Sequence, residues 1–284
     1  MSLPAVLCAG RVYCDLVFSG LQSFPSPGNE IYADRLSLHT GGGAGITAHC
    51  LARLGHSVSL SANLPASPFT SIVQNELASI VDLSCCSVDD KNDPQVTAVL
   101  TGYMDRSFVT RRAGSALPDD FVQRITNSAQ SKSIRHLHIG ELATLLDHPD
   151  LVTLARRENW TVSLDCAWDL DAMQSERALT LIESVDVFLP NESEFEQLGG
   201  IGLTTGTAPV TVIKKGGAGA HGFSGNEILE VPAEEVLCVD STGAGDAFNA
   251  GFIHGWSQGW ALEDCLIAGN HSGALAVGHL GGIG

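Results

Sequence analysis

The sequence predicts an α/β chain built on a doubly wound, mostly parallel sheet flanked by helices. Three observations carry this. From His136 onward, short apolar runs alternate regularly with helical patterns, the signature of right-handed βαβ units. The chain has 284 residues, 44% of them hydrophobic, enough for one large domain. Its 31 glycines suit many strand–helix turns that come close to ligands.

In chain order, Ala5 to Gly10 reads as a buried strand, followed by Arg11 to Asp15 and a Pro/Gly-rich stretch, Phe24 to Asn29. Residues 31–39 alternate as an exposed strand does. Gly41, Gly42 and Gly43 precede a helix whose apolar positions 48, 51, 52 and 54 share a face, and Gly55 stops it. Residues 57–62 read as a strand and 68–80 as a helix. Thr97 to Met104 and Arg106 to Arg112 read as two strands joined at 103–106. His136 to Gly140 is a strand whose two histidines are read as structural, facing apart across it. Leu151 to Glu158 is a helix, Thr161 to Leu164 a strand, Ser175 to Glu183 a helix and Val185 to Leu189 a strand. Asn191 and Glu194 have the spacing of a capping box at the next helix. Thr211 to Lys214 is a strand, Val236, Leu237 and Val239 read as the apolar end of another, and Ala261 to Gly278 is a small-residue helix. Ligands of such sheets collect at the carboxyl ends of the strands, where Asp165, Asn191 and the Gly243 turn fall.

Composition excludes several classes. Fifteen basic against 32 acidic residues give a net charge of −17, which repels nucleic acid and anionic membranes. No apolar run reaches the roughly 20 residues of a membrane span. The N-terminus lacks the basic start of a secretory signal, so a cytoplasmic protein is expected. The eight cysteines are scattered without a C-x-x-C and are expected to be reduced and mostly buried.

Chemistry concentrates in Val239 to Gly251, VDSTGAGDAFNAG. A Gly-x-Gly at a helix start leaves backbone N–H groups bare, a setting for an anion such as phosphate. Asp246 in the first turn is a cap or a base beside that anion. The spacing is neither the dinucleotide fingerprint nor a P-loop.

Asp240 to Asp246 resembles the second signature of the PfkB family of carbohydrate kinases, the ribokinase-like fold, Asp-Thr-x-Gly-Ala-Gly-Asp, with the Thr displaced by one. The resemblance extends over essentially the whole chain and implies one kinase domain over 1–284. It implies a small β-sheet lid from about 11–40 and 95–113, open-edged enough to pair into a homodimer. Gly243, Ala244 and Gly245 would form the anion hole and Asp246 would be the catalytic base. The run from Gly41 to Gly55 resembles the first signature, Gly-Gly-x-x-x-Asn-x-Ala, so backbone at Gly41 and Gly42 would meet the substrate. Asp15 would bind its hydroxyls; without the resemblance it reads as an ordinary turn Asp. The run 106–116 resembles sugar-acid kinases, where an Arg matching Arg112 meets the substrate; a solvated surface Arg is the other reading. Asn191, Lys214, Gly216, Gly219 and Asn270 would line the nucleotide, and Glu194 would organise Mg²⁺ through water. ATP and Mg²⁺ are the implied cofactors, with a monovalent cation in some members.

The implied function is ATP-dependent phosphorylation of a hydroxyl on a sugar or related small molecule. A nucleoside kinase of the same fold, or a non-catalytic sugar- or nucleotide-binding protein, are the alternatives. Three positions depart from the family: Ile46 stands for its Asn, and in Asp165-Cys166-Ala167-Trp168-Asp169, Ala167 stands for an Asn and Asp169 for an Arg. A carboxylate at 169 facing the pocket would repel an anion, so a neutral sugar or nucleoside is expected.

Overall fold

The structure, a computed structural model, describes residues 3–102 and 106–278. The chain begins with β1 (Ala5–Ala9), β2 (Tyr13–Leu21), β3 (Arg35–Gly41), α1 (Gly43–Arg53), β4 (Val58–Ser61), β5 (Asn63–Leu64) and α2 (Phe69–Leu77). It continues through β6 (Val81–Asp82), β7 (Ser87–Val88), β8 (Val96–Gly102), β9 (Ser107–Arg111), α3 (Phe121–Ser131), β10 (Ile134–Ile139), α4 (Leu142–Asp147) and α5 (Asp150–Arg157). Then come β11 (Thr161–Leu164), α6 (Leu170–Met173), α7 (Ala178–Glu183), β12 (Val187–Phe188), α8 (Glu192–Gly199) and β13 (Val210–Lys214). The last elements are β14 (Ala220–Ser224), β15 (Glu227–Val231), α9 (Ala244–Trp256) and α10 (Leu262–Ala276).

The main sheet has nine strands in the order β15-β14-β13-β12-β11-β10-β1-β4-β6. It is parallel from β13 through β6 and antiparallel where β14 and β15 extend it. β1 sits inside it, pairing Leu7 with Leu137 on one side and Cys8 with Leu60 on the other. All five of its residues are buried, as helices on both faces of a parallel sheet require. Alternation divides them: Leu7 and Ala9 join one core with Phe121, Ile139 and Leu164, and Val6 and Cys8 join another with Leu51, Leu60 and Ile253. A separate four-stranded sheet, β3-β2-β8-β9, is formed by the regions expected to make the lid.

Two helices close one face of the sheet through a glycine seam. A Cβ on Gly251 of α9 would lie 2.2 Å from Ala268 O, and one on Gly269 of α10 would lie 2.8 Å from the Phe248 ring. Large residues at these positions would force the helices apart.

The structure corrects several expectations. Val236, Leu237 and Val239 form no strand; they are exposed, Leu237 at 86%. The sheet edge is already closed by β15, and the N–H groups of Val239 and Asp240 instead donate to Val277 O at 2.8 and 3.2 Å. The strand expected over 31–39 starts at Arg35, and the helix expected from Ser175 starts at Ala178. Part of the turn expected at 103–106 lies outside the described residues. His136 and His138 share a face, as positions two apart in a strand do, and both rings meet Ser163 Oγ, at 2.8 and 2.9 Å. Burial holds both down to about 3, so they are neutral structural groups. The cysteines are free, and Cys238 is exposed. Among the described residues no helix is long and apolar enough to cross a membrane.

Candidate active site

A cavity of about 900 Å³ opens at the carboxyl ends of the central strands, under the small sheet. Its floor is the start of α9. Gly243 holds the left-handed conformation, φ 73°, and caps the helix without any side-chain bond. The turn before it is fixed by Asp240, whose Oδ1 accepts from Thr242 N at 2.9 Å and Thr242 Oγ1 at 2.7 Å. At Gly245 a Cβ would find only Lys214 within 4 Å, its Nζ at 3.6 Å, so this helix end is bare toward the cavity.

Asp246 lies in the first turn of α9, and its backbone carbonyl accepts from Thr47 Oγ1 of α1 at 3.2 Å. The glycine run between β3 and α1 brings a second carboxylate to the same place. A Cβ on Gly43 would sit 3.0 Å from Asp246 Oδ1 and 2.8 Å from Gly140 O; one on Gly41 would sit 2.0 Å from Asp15 Oδ1. Gly42 takes φ +87°, and a side chain there would strike Arg11 O at 2.4 Å. Only glycines let Asp15 and Asp246 abut one turn. Burial, helped by the charge of Asp165 and opposed by Lys214, pushes Asp246 up to about 7. Burial likewise pushes Asp15 up to about 7, against a hydrogen bond from Thr97.

Behind the helix start, Lys214 Nζ donates to both oxygens of Asp165 at 3.0 Å and to Asn249 Oδ1 at 3.1 Å. Asn249 in turn donates to Asp165 Oδ2 at 2.6 Å. This triad ties β13, the end of β11 and α9 together. Burial alone would lower the Lys214 pKa; Asp165 and Glu194 more than offset it and keep the ammonium charged. Asn191 and Glu194 form the expected capping box, at 2.9 and 2.8 Å. Glu194 is nonetheless 4% exposed and lines the cavity, and burial with Asp165 nearby pushes it up to about 7.

Not every expected site residue reaches the cavity. Gly216 does, at φ +54°. Gly219 is instead packed on backbone, its Cβ position 2.1 Å from Val231 O. Asn270 borders the cavity while its amide donates to Val231 O and Pro232 O at 3.0 Å, holding the segment beyond β15. Gly41 supports Asp15 rather than lining the space. Among the described residues no group of three His, Cys, Asp or Glu side chains converges as a protein-only metal cage.

At the other end, Arg112 just past β9 does face the cavity, but it forms an ion pair with Asp169. Asp169 therefore does not confront a substrate as a bare charge. Its Oδ1 also caps α6, accepting from Ala172 N at 3.0 Å. Ile46, Phe108 and Trp168 add apolar surface, and Trp168 is 59% exposed. Sequence reasoning missed Trp168, Asn249, Glu141 and Arg11. Arg11 is buried and donates to Gln95 Oε1 at 2.7 Å, Ala113 O at 3.0 Å and Gly114 O at 2.8 Å, with Glu141 at 3.5 Å. Its only local signal was an Arg directly after the buried strand read over Ala5 to Gly10.

Comparison with known proteins finds similarity along essentially the whole chain. The family model for pfkB family carbohydrate kinases matches residues 4–284. A nucleoside kinase of Methanocaldococcus jannaschii is 23% identical over 294 residues, covering 97% of this chain and 91% of that protein. A crystal structure of a candidate ribokinase II of Escherichia coli, in complex with ATP and Mg²⁺, superposes with a TM-score of 0.81 at 22% identity, covering 99% of this chain and 95% of that one. Arabidopsis thaliana ribokinase complexed with ribose and ATP gives 0.78 at 20% identity, over 100% and 95% of the two chains.

Proposed function

The chain belongs to the pfkB family of carbohydrate kinases, and we propose that it transfers the terminal phosphoryl group of ATP to a hydroxyl of a sugar or nucleoside. The observation that carries this is the convergence of Asp15 and Asp246 on one glycine run beside the bare start of α9. A carboxylate poised near neutrality suits a general base, and phosphoryl transfer asks for little beyond positioning and charge stabilisation.

In this reading Asp15 accepts a hydrogen bond from a substrate hydroxyl and orients it. Asp246 takes the proton of the attacking hydroxyl at its carboxylate. Backbone N–H groups of the Gly243–Gly245 turn stabilise charge as it develops on the transferring phosphoryl oxygens. ATP and Mg²⁺ fit the residues present. The α9 start is a side-chain-poor cradle, and Glu194 is a buried carboxylate facing the same space. Mg²⁺, when bound, neutralises phosphate charge and keeps part of its water shell, so Glu194 would act through water. Gly216 and Asn270 would border the nucleotide. Lys214 holds Asp165 and α9 in register rather than gripping a phosphate directly. The small sheet is the lid of this reading, covering the acceptor.

A nucleoside as acceptor is favoured by the exposed rings of Trp168 and Phe108 at the Arg112 end, where an apolar base could rest. Release of ADP by the purified protein, measured with a panel of sugars, sugar acids and nucleosides, tests the proposal. Turnover with a neutral member supports it; no acceptor-dependent ADP from any member would reduce the protein to a binder.

A further inference from the structure

In β3, positions 39 and 41 face the same way, and the register sets His39 directly opposite Asp15 of β2. Gly41, without a side chain, lets the Asp15 carboxylate lie over the strand, its Oδ1 2.0 Å from where a Cβ would be. His39 is the first side chain back along that face. Its ring is held from outside the cavity. Nδ1 lies 3.3 Å from Glu76 Oε1 of α2, and Glu76 Oε2 accepts from Thr40 N at 2.5 Å. A carboxylate in the last turn of α2 opposes the helix dipole, so α2 itself gains nothing from Glu76. The other ring nitrogen of His39, Nε2, is buried and bonds no described group. A charge on this ring is therefore stabilised by carboxylates and not by water at Nε2. The bond to Glu76 outweighs burial and, with the charges of Asp15 and Asp240, holds the His39 pKa above its ordinary value.

We propose that His39 is a positioning residue for the acceptor: braced by Glu76, its imidazolium stands against Asp15 and keeps that carboxylate ionised to receive a substrate hydroxyl. The inference deepens the kinase reading above; it rests on that reading for what Asp15 does, not for its charge. The influences on Asp15 have both signs. Burial, Glu76 of α2 and Asp240 before α9 favour its protonated form. Thr97 of β8, by a hydrogen bond, and His39 favour the carboxylate. Asp246 lies across the glycine turn and adds a like charge. Arg112 and Arg106 line the same cavity, the first paired with Asp169 and the second over the Phe108 ring at 5.5 Å. Both arginines stay in place in the variants below, so they do not enter the comparison. His39 is the cation that the strand register itself places beside Asp15. The protonation state matters because a neutral carboxyl accepts a hydrogen bond from a hydroxyl more weakly than a carboxylate does.

Two variants test this. His39→Asn keeps an N–H for Glu76 and loses the charge; Glu76→Gln keeps an acceptor for Thr40 N and loses the counter-charge. The Asp15 carboxyl and the His39 imidazole are titrated by NMR in the purified protein. In wild type, His39 should titrate above the ordinary 6.5, and Glu76→Gln should bring its midpoint down. In His39→Asn, Asp15 should hold its proton about 10-fold more tightly than in wild type, as loss of an opposite charge a few ångströms away predicts. The acid limb of kcat/KM for the acceptor should move up in pH with it, while KM for ATP stays within about two-fold. A wild-type His39 that titrates at or below 6.5, or an Asp15 titration unchanged in His39→Asn, overturns the proposal. An unchanged His39 midpoint in Glu76→Gln overturns the brace, and an acid limb that stays put overturns the positioning role. The titrations need no turnover, so a failed kinase reading would show separately, as no acceptor-dependent ADP.

Discussion

Around Gly243, Asp165 and Glu194 are 6% and 4% exposed, and Lys214 is bonded to both oxygens of Asp165 and to Asn249 of α9. Around Arg112 the charges stand on a small sheet and a four-residue helix, Arg112 itself 41% exposed. The contrast teaches where rigidity is needed. A phosphoryl group is the same in every ATP-dependent kinase, and the cradle proposed for it is set in a network that is costly to disturb. The acceptor end must admit one molecule and refuse others, and it is held by a partly solvated pair that costs little to part.

The largest effect should come from the base. Asp246→Asn preserves shape and removes the proposed proton acceptor, so kcat should fall by about 10²–10⁴ while the protein still folds. Wild-type turnover in this variant would remove Asp246 from the mechanism.

Lys214→Met should sharpen the comparison most directly. It leaves Asp165 and Glu194 buried near each other without their cation, and stability measured in urea should drop by about 3–5 kcal/mol. Arg112→Met, at the other end, should lose no more than about 1 kcal/mol. Equal losses would mean that the two ends are not built differently.

Asp15 offers a test by pH. Burial raises its pKa from the ordinary 3.8 to about 7 in the folded protein. The folded state therefore binds the proton more tightly than the unfolded chain. That stabilisation is complete below the unfolded pKa and is lost as pH rises through about 7. Asp15→Asn escapes the loss. It should be more stable than wild type at pH 8 by on the order of 2–4 kcal/mol, with the gap closing below about pH 4. A gap that does not depend on pH would show that Asp15 is ionised in the fold at little cost.

The smallest effect is expected at Glu194. Glu194→Gln keeps the capping box, since Gln serves there as well, so the fold should be retained and any change in stability should grow as pH rises through about 7 and vanish below about pH 4. If the carboxylate organises Mg²⁺, the magnesium needed for half-maximal rate should rise a few-fold; an identical titration would leave only the cap.

How much of this was legible in the sequence follows the same division. The Gly243 turn, Asp246 and the Asn191–Glu194 box are local, within seven residues of chain or fewer, and such spacing survives in a string of letters. The partners of Lys214 are not local: Asp165 is 49 positions away and Asn249 is 35. A lysine after a strand looks the same whether it grips a phosphate or a buried carboxylate. Asp169 was read as a bare charge because its partner Arg112 is 57 positions away. Val236 to Val239 looked like a strand because apolar letters do not say whether an edge is free to pair. The hairpin of β14 and β15 went unseen although Ser224-Gly225-Asn226 marks its turn, with Gly225 at φ +56°.

The glycine seam between α9 and α10 has a mechanical consequence. With Gly251 seated on the Ala268 carbonyl and Gly269 under the Phe248 ring, neither helix can slide along the other without collision. The helix that carries Asp246 and the helix that carries Asn270 are therefore locked together as one body, a fixed anvil at the floor of the cavity. The distance from Asp246, the proposed base, to that wall is thus set when the chain folds.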